Sequence, residues 1–258
     1  IVRAYNQDLL RGFYGRIYQP TNIVVAAAGN VTHDRVQDVV GRRFAGMTTS
    51  PSTTVETEPV TYPLIEVVSR AAREQVHLCI GFPSLPFSHE DRYVSYVLNA
   101  ILGGGLSSRL FQHVRERHGL AYNVFSELSP YRDSGCLSIY AATSADAVVP
   151  LIEAILQELR VLKSDPVPLQ ELDRAKRYLK GSLVLGLEST ASRMSHLARQ
   201  ELFLGQVVDL EEMLERVDRV SPSDVQRISQ QIFRQEAMGF AAVGKVTKEA
   251  LTRENFAV

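Results

Sequence analysis

The order of patterns along this 258-residue chain predicts an α+β fold, a two-layer sandwich whose mixed, mostly antiparallel sheet carries helices on one face. Two observations predict it. Four strand-like runs between Leu64 and Ser144 precede a long helical run, and a unit made of a helix end, a strand, a turn and a new helix occurs twice, once near each end.

The first copy of that unit opens the chain. Ile17-Tyr18 followed by NIVVAAAGNVTHDRV (Asn22 to Val36) aligns without gaps on Ile232-Phe233 followed by AMGFAAVGKVTKEAL (Ala237 to Leu251), pairing Gly29 with Gly244, Val31 with Val246 and Thr32 with Thr247. The second copy closes a domain of about two hundred residues, whereas the first has almost nothing ahead of it. Residues 1–48 therefore read as the tail of a truncated first domain, 49–60 as a Ser-, Thr- and Pro-rich linker, and 61–258 as a complete second domain.

Within the second domain the β-branched runs LIEVVSR and EQVHLCIGF read as strands. Ser88, with Asp91 three residues on, reads as a capping box for the helix HEDRYVSYVLNAIL. A second helix follows the glycine run and stops at Gly119, since glycine takes the left-handed conformation of a helix end cheaply. YNVFSELSPY and GCLSIYAATS then alternate as strands around a turn at Arg132 to Ser134. Leu169, Leu172, Leu179 and Leu183 mark one helical face, and Ser189 caps a helix that ends at Leu204-Gly205. Ser221-Pro222 opens another helix toward Phe233, and the last strand is Met238 to Val243.

Composition removes several function classes. Twenty-eight basic against 29 acidic residues leave a formal charge of −1, too little field to attract nucleic acid or an anionic membrane. No stretch approaches the roughly 18 apolar residues of a membrane helix, and no signal peptide pattern opens the sequence, so a soluble, cytoplasmic protein is expected. Cys79 and Cys136 stand singly in strand-like runs and are expected to be buried free thiols. Gly103, Gly104 and Gly105 match neither nucleotide-loop pattern, which leaves a helix-to-helix turn.

The chemistry concentrates between Gly103 and Val124. Arg115 stands seven positions before Tyr122 across the helix stop, which aims a cation and a phenol toward one place. Arginine presents a fixed fork of donors to a carboxylate or carbonyl, and a tyrosine hydroxyl can donate to an oxyanion. Structural roles compete with these: Arg115 complementing a helix C-terminus, and Tyr122 packed on the core.

The run GGGLSSRLFQHVRERHGLAY resembles the signature in the second homologous domain of insulinase-like (pitrilysin-type, inverzincin) zinc metallopeptidases. The resemblance implies that Arg115 and Tyr122 help bind a peptide substrate, Arg115 by anchoring it and Tyr122 by polarising it. It also implies zinc in the intact enzyme, held by H-x-x-E-H with the glutamate as general base. None of the six histidines (His33, His77, His89, His113, His118, His196) opens that motif. His113, Glu116 and His118 are one residue too long for it, and a five-residue step at about 100° per residue points the two histidines roughly 140° apart.

The chain is therefore expected to be the substrate-binding half of a zinc metallopeptidase, with the zinc motif in a missing N-terminal half or a partner subunit. Alone it is expected to be inactive and to bind no metal. Its expected partners are a peptide substrate and the N-terminal half or a homologous subunit, in a homo- or heterodimer. The alternative is a non-catalytic paralogue that serves as scaffold or regulatory subunit. Intact Arg115 and Tyr122 favour the first reading.

Overall fold

The computed structural model describes residues 2–47, 59–70, 72, 74–247 and 251. Two compact units are distinguished, Ile1–Thr57 with Leu185–Val207, and Glu58–Val184 with Val208–Val258. Of the predicted linker, all but Pro59 and Val60 lie outside the described residues, and those two are exposed.

The chain opens with helices α1 (Gln7–Ile17) and α2 (His33–Phe44), capped by the side chains of Asn6 and Thr32. Strands β1 (Ile65–Ser69) and β2 (Gln75–Ser84) lead to α3 (Arg92–Leu102), and β3 (Asn123–Pro130) and β4 (Gly135–Ser144) follow. Then come α4 (Val148–Ser164), α5 (Leu169–Gly186), α6 (Thr190–Leu204), α7 (Leu210–Asp218) and α8 (Pro222–Ile232) before the last strand, β5 (Gly239–Gly244). The sheet order is β1-β5-β2-β4-β3, parallel between β1 and β5 and antiparallel elsewhere, the α+β fold that the pattern predicts.

Alternation along the strands decides which face is covered. Val76, Leu78, Ile80 and Phe82 of β2 point inward beside Leu137, Ile139 and Ala141 of β4, while Gln75, His77 and Cys79 point out. The covering helices are α3, α4 and α8, whose apolar stripes meet this inner face. Phe233, just past α8, meets Phe82 edge-on with ring centroids 5.3 Å apart, and both rings are fully buried.

The internal repeat survives as geometry. Tyr18 and Phe233 both end their helices by donating to the carbonyl four residues back, each at 2.9 Å, and each is followed by a short 3₁₀ turn. Gly29 and Gly244 both take positive φ, 138° and 150°, and both carbonyls accept from the amide two residues on at 2.9 Å. Only glycine tolerates that turn at low strain. The copies differ in pairing: β5 is bonded on both sides, whereas residues 23–28, predicted as a strand, run extended without a ladder among the described residues.

Four further expectations need correction. Ser88 lies in a turn and α3 begins at Arg92, because the carboxylate of Asp91 is committed to Arg227 at 2.8 and 3.0 Å and accepts nothing from the helix start. Cys79 is exposed on the open face of the sheet and Cys136 is half-buried, so neither is a core thiol. Leu172 is buried as the α5 stripe requires, but Leu169, the first residue of the helix, is exposed. The helical run expected after the strands contains, besides the three helices marked in the sequence, α4 and α7.

Two outcomes follow from this packing. Phe233→Ala should lower unfolding free energy by about 3–5 kcal/mol, the range for emptying a buried aromatic site, read from urea unfolding with an unchanged slope. The second concerns acid. Hydrogen bonding to Arg227 holds the Asp91 carboxyl below its ordinary 3.8, and Ser221, which completes the capping box of α8, does the same for Asp224. A depressed folded value contributes stability above the unfolded value that is lost as pH falls through the folded one. Stability should therefore drop below about pH 4, and Asp91→Asn should flatten that drop; an unchanged slope in acid titration would refute the assignment.

Candidate functional site

The segment from Gly103 to Tyr122 is held on the helical layer by three separate devices. The first is the glycine run. A Cβ on Gly103 would sit 2.6 Å from Ser126 Oγ and would push the end of α3 off β3, while one on Gly104 would sit 2.9 Å from the Ala100 Cα, against the last turn of α3 itself. Gly103 and Ser126 are instead joined through backbone, the Ser126 amide donating to the Gly103 carbonyl at 3.2 Å. The Tyr178 hydroxyl, from α5, donates to the Gly104 carbonyl at 2.7 Å. These glycines serve close packing, of the end of α3 on β3 and of the chain on the last turn of α3.

The second device is a cluster of charges beneath the segment. Arg109 donates through Nε and Nη2 to the two carboxylate oxygens of Glu171, both at 2.9 Å, and its Nη1 lies 3.8 Å from Glu158. His113 Nδ1 stands 2.6 Å from the same Glu158 carboxylate, close enough for an ion pair but without hydrogen-bond alignment. All four side chains are a quarter exposed or less. Burial opposes the Arg109 charge, but the fork onto Glu171 and the nearby Glu158 and Asp165 outweigh it and hold the guanidinium above its ordinary range.

The third device is the backbone itself. Phe111–Arg117 winds as a π-helix, ended by Gly119 at φ +60°. Gly119 donates to the Arg115 carbonyl at 3.1 Å and Leu120 to the Val114 carbonyl at 2.9 Å, which closes the open end. The π-helix overturns the expected divergence of His113 and His118, because its i→i+5 bonding makes a five-residue step close to one full turn. The two rings lie 4.7 Å apart between centroids.

Proximity does not make these histidines a metal centre. His113 is already set against Glu158, and among the described residues no three His, Cys, Asp or Glu side chains gather to hold a metal ion. The residues present do not fit zinc.

Arg115 and Tyr122 come together above these supports. The guanidinium carbon of Arg115 stands 4.6 Å from the centroid of the Tyr122 ring and 4.8 Å from that of Phe111, so two aromatic faces hold it by cation–π attraction. Glu116 approaches Nε at 3.8 Å, beyond hydrogen-bonding distance. Among the described residues Arg115 donates no hydrogen bond and the Tyr122 hydroxyl makes none, so the cation is oriented while its donors stay unspent. Tyr122 is 79% exposed and immediately precedes β3, which removes the core-packing role; Arg115 lies in the last turn of its helix, where its charge also complements the carbonyl end.

Phe111 was legible in principle, since i and i+4 share a helix face. Arg109, Glu158 and Glu171 were not, because the fork from Arg109 to Glu171 joins positions 62 apart in sequence. The open sheet face adds no nucleophile: partial burial raises the thiols of Cys79 and Cys136 rather than activating them.

The model of one protein family, described as the peptidase M16 inactive domain, matches residues 4–179. An uncharacterized zinc protease of Bacillus subtilis (strain 168) is 38% identical over 233 residues, covering 90% of this chain and 56% of that protein. One of Streptomyces coelicolor is 36% identical over 245 residues, covering 90% of this chain and 52% of that protein. The chain thus spans a little over half the length of these curated relatives. Among solved structures, the peptidase M16 inactive domain from Pseudomonas fluorescens superposes with a TM-score of 0.86 at 21% identity, covering 95% of this chain and 59% of that one. A protease from Helicobacter pylori gives 0.83 at 21%, covering 94% and 60%. These two likenesses concern the fold.

The charge cluster predicts a stability effect that leaves the cation and the phenol chemically intact. Arg109→Met should cost about 2–3 kcal/mol, somewhat below the roughly 3–5 kcal/mol for breaking a fully buried pair, since Glu171 and Glu158 lose their partner but keep some water. Removing the carboxylate as well, in Arg109→Met with Glu171→Gln, should recover part of that loss in thermal unfolding.

Proposed function

Because this chain belongs to the family of the peptidase M16 inactive domain, we propose that it is the substrate-binding half of a zinc-dependent peptidase whose metal is held by residues outside it. Zinc, bound in the N-terminal half or in a homologous subunit, supplies the Lewis acid and the activated water. The curated relatives carry the name zinc protease, which supports zinc in the family.

One observation carries the reading for this chain: Arg115 is oriented by Phe111 and Tyr122 with its donors unspent. A cation built for stability alone spends its donors, as Arg109 does on Glu171. The two rings hold the guanidinium in place and leave its N–H donors for a planar acceptor, a peptide carbonyl or carboxylate. The Tyr122 hydroxyl, at an exposed ring that carries the same cation, donates to the oxygen that gains negative charge as the amide is attacked. Arg115 therefore anchors the peptide, and Tyr122 acts on the charge that develops.

The test uses the enzyme assembled with its zinc-bearing half. Tyr122→Phe should lower kcat by about 10²-fold or more, the scale of losing one oxyanion donor. Arg115→Ala should mainly raise KM, since an anchor acts on bound substrate and transition state alike. The 258-residue chain by itself should hydrolyse no peptide. Wild-type rates in both variants would return Arg115 and Tyr122 to structural roles and leave a scaffold.

A further inference from the structure

Thr143 is a polar residue in an apolar row. It follows Leu137, Ile139 and Ala141 on the inward side of β4 and is 5% exposed, and those three side chains carry no hydrogen-bonding group. A buried hydroxyl in such a place is costly unless it is paired. It is paired, and its partner lies in the turn that leads to Tyr122: Thr143 Oγ1 donates to the Leu120 carbonyl at 2.5 Å.

Register sets where that bond falls. The ladder between β3 and β4 ends with Asn123 opposite Ala142, so Thr143 is the first residue of β4 past it and stands where Tyr122 would otherwise pair. Backbone pairing stops there, and the threonine side chain takes over by holding the carbonyl two residues before the phenol. Leu120 is held from the other side as well, since its amide donates to the Val114 carbonyl of the π-helix at 2.9 Å. One residue thus ties the helix that carries Arg115 to the strand that carries Thr143. Next along the chain Ala121 is buried and Tyr122 stands out into solvent, so the place of the phenol depends on where Leu120 is fixed.

We propose that Thr143 is a positioning residue for the Arg115–Tyr122 pair: its hydroxyl, through the Leu120 carbonyl, sets where the phenol meets the guanidinium and the substrate. The consequence for catalysis rests on the peptidase function proposed above, and the consequence for geometry does not. Arg115 has a support of its own, because its helix is tied to α5 through Arg109 and Glu171. Loss of the threonine hydroxyl therefore displaces the phenol and leaves the anchor, which separates kcat from KM.

Thr143→Val keeps the shape and removes the hydroxyl, and Thr143→Ser keeps the hydroxyl. In the enzyme assembled with its zinc-bearing half, Thr143→Val should lower kcat about tenfold while KM changes by less than about twofold, and Thr143→Ser should stay within about twofold of wild type in both. In a Tyr122→Phe background the valine should lower kcat no further, since two changes that act through one group are not additive. A threonine that merely stabilises the fold would lower the rate equally in both backgrounds, and that result overturns the proposal. So does a wild-type kcat in Thr143→Val, or an equal loss in Thr143→Ser. Geometry is read separately, by NMR of the chain. The Arg115 side-chain protons, held over the Tyr122 ring, resonate upfield, and Thr143→Val should move them toward the ordinary arginine position where Thr143→Ser does not. Wild-type kcat in Tyr122→Phe itself would sink the peptidase function but not the positioning role, which then stands or falls on this shift: Arg115 resonances unmoved by Thr143→Val overturn it.

Discussion

Insertion of β5 between β1 and β2 is the constraint on which the second unit depends. The last strand of the chain must return to the middle of a sheet whose other strands were laid down long before it, and only there do its amides and carbonyls find partners on both sides. Register then sets the rest. With Phe240 and Ala242 facing inward, Phe233 reaches Phe82, and α8 closes over the same core that α3 and α4 cover. Gly244 permits the closing turn, since a Cβ there would stand 2.7 Å from the Gln75 carbonyl oxygen.

That core also positions the chemistry. Gly103 lets the end of α3 lie flush on β3, and the fork from Arg109 to Glu171 ties the following helix down to α5. Each contact belongs to the packed layer, and each limits where the π-helix can run. Arg115 and Tyr122 sit at the two ends of a short path from that helix into β3, so fixing the helix and the strand fixes the pair. Two arginines six residues apart thereby differ: Arg109 spends its donors inward on Glu171, and Arg115 donates to no described residue.

The proposed division of labour with a zinc-bearing half has the same form. The described residues offer no three metal-ligating side chains in one place, yet they offer an oriented cation and an exposed phenol.

Much of this was legible because it is local. The alternation in EQVHLCIGF and GCLSIYAATS, the cap at Ser189, the helix start at Ser221-Pro222 and the stop at Gly119 each depend on neighbours a few residues away, and each stands in the structure where the chain indicates it. The pairing of Arg115 with Tyr122 was legible for the same reason, as a short spacing across a recognisable helix end. Tertiary structure decided whatever depends on distant partners. Asp91 caps no helix because Arg227, 136 residues away, holds its carboxylate. His113 and His118 converge because the helix beneath them is a π-helix. Residues 23–28, spelled like a strand, form none among the described residues, because a strand is a relation between segments and not a property of one segment's spelling.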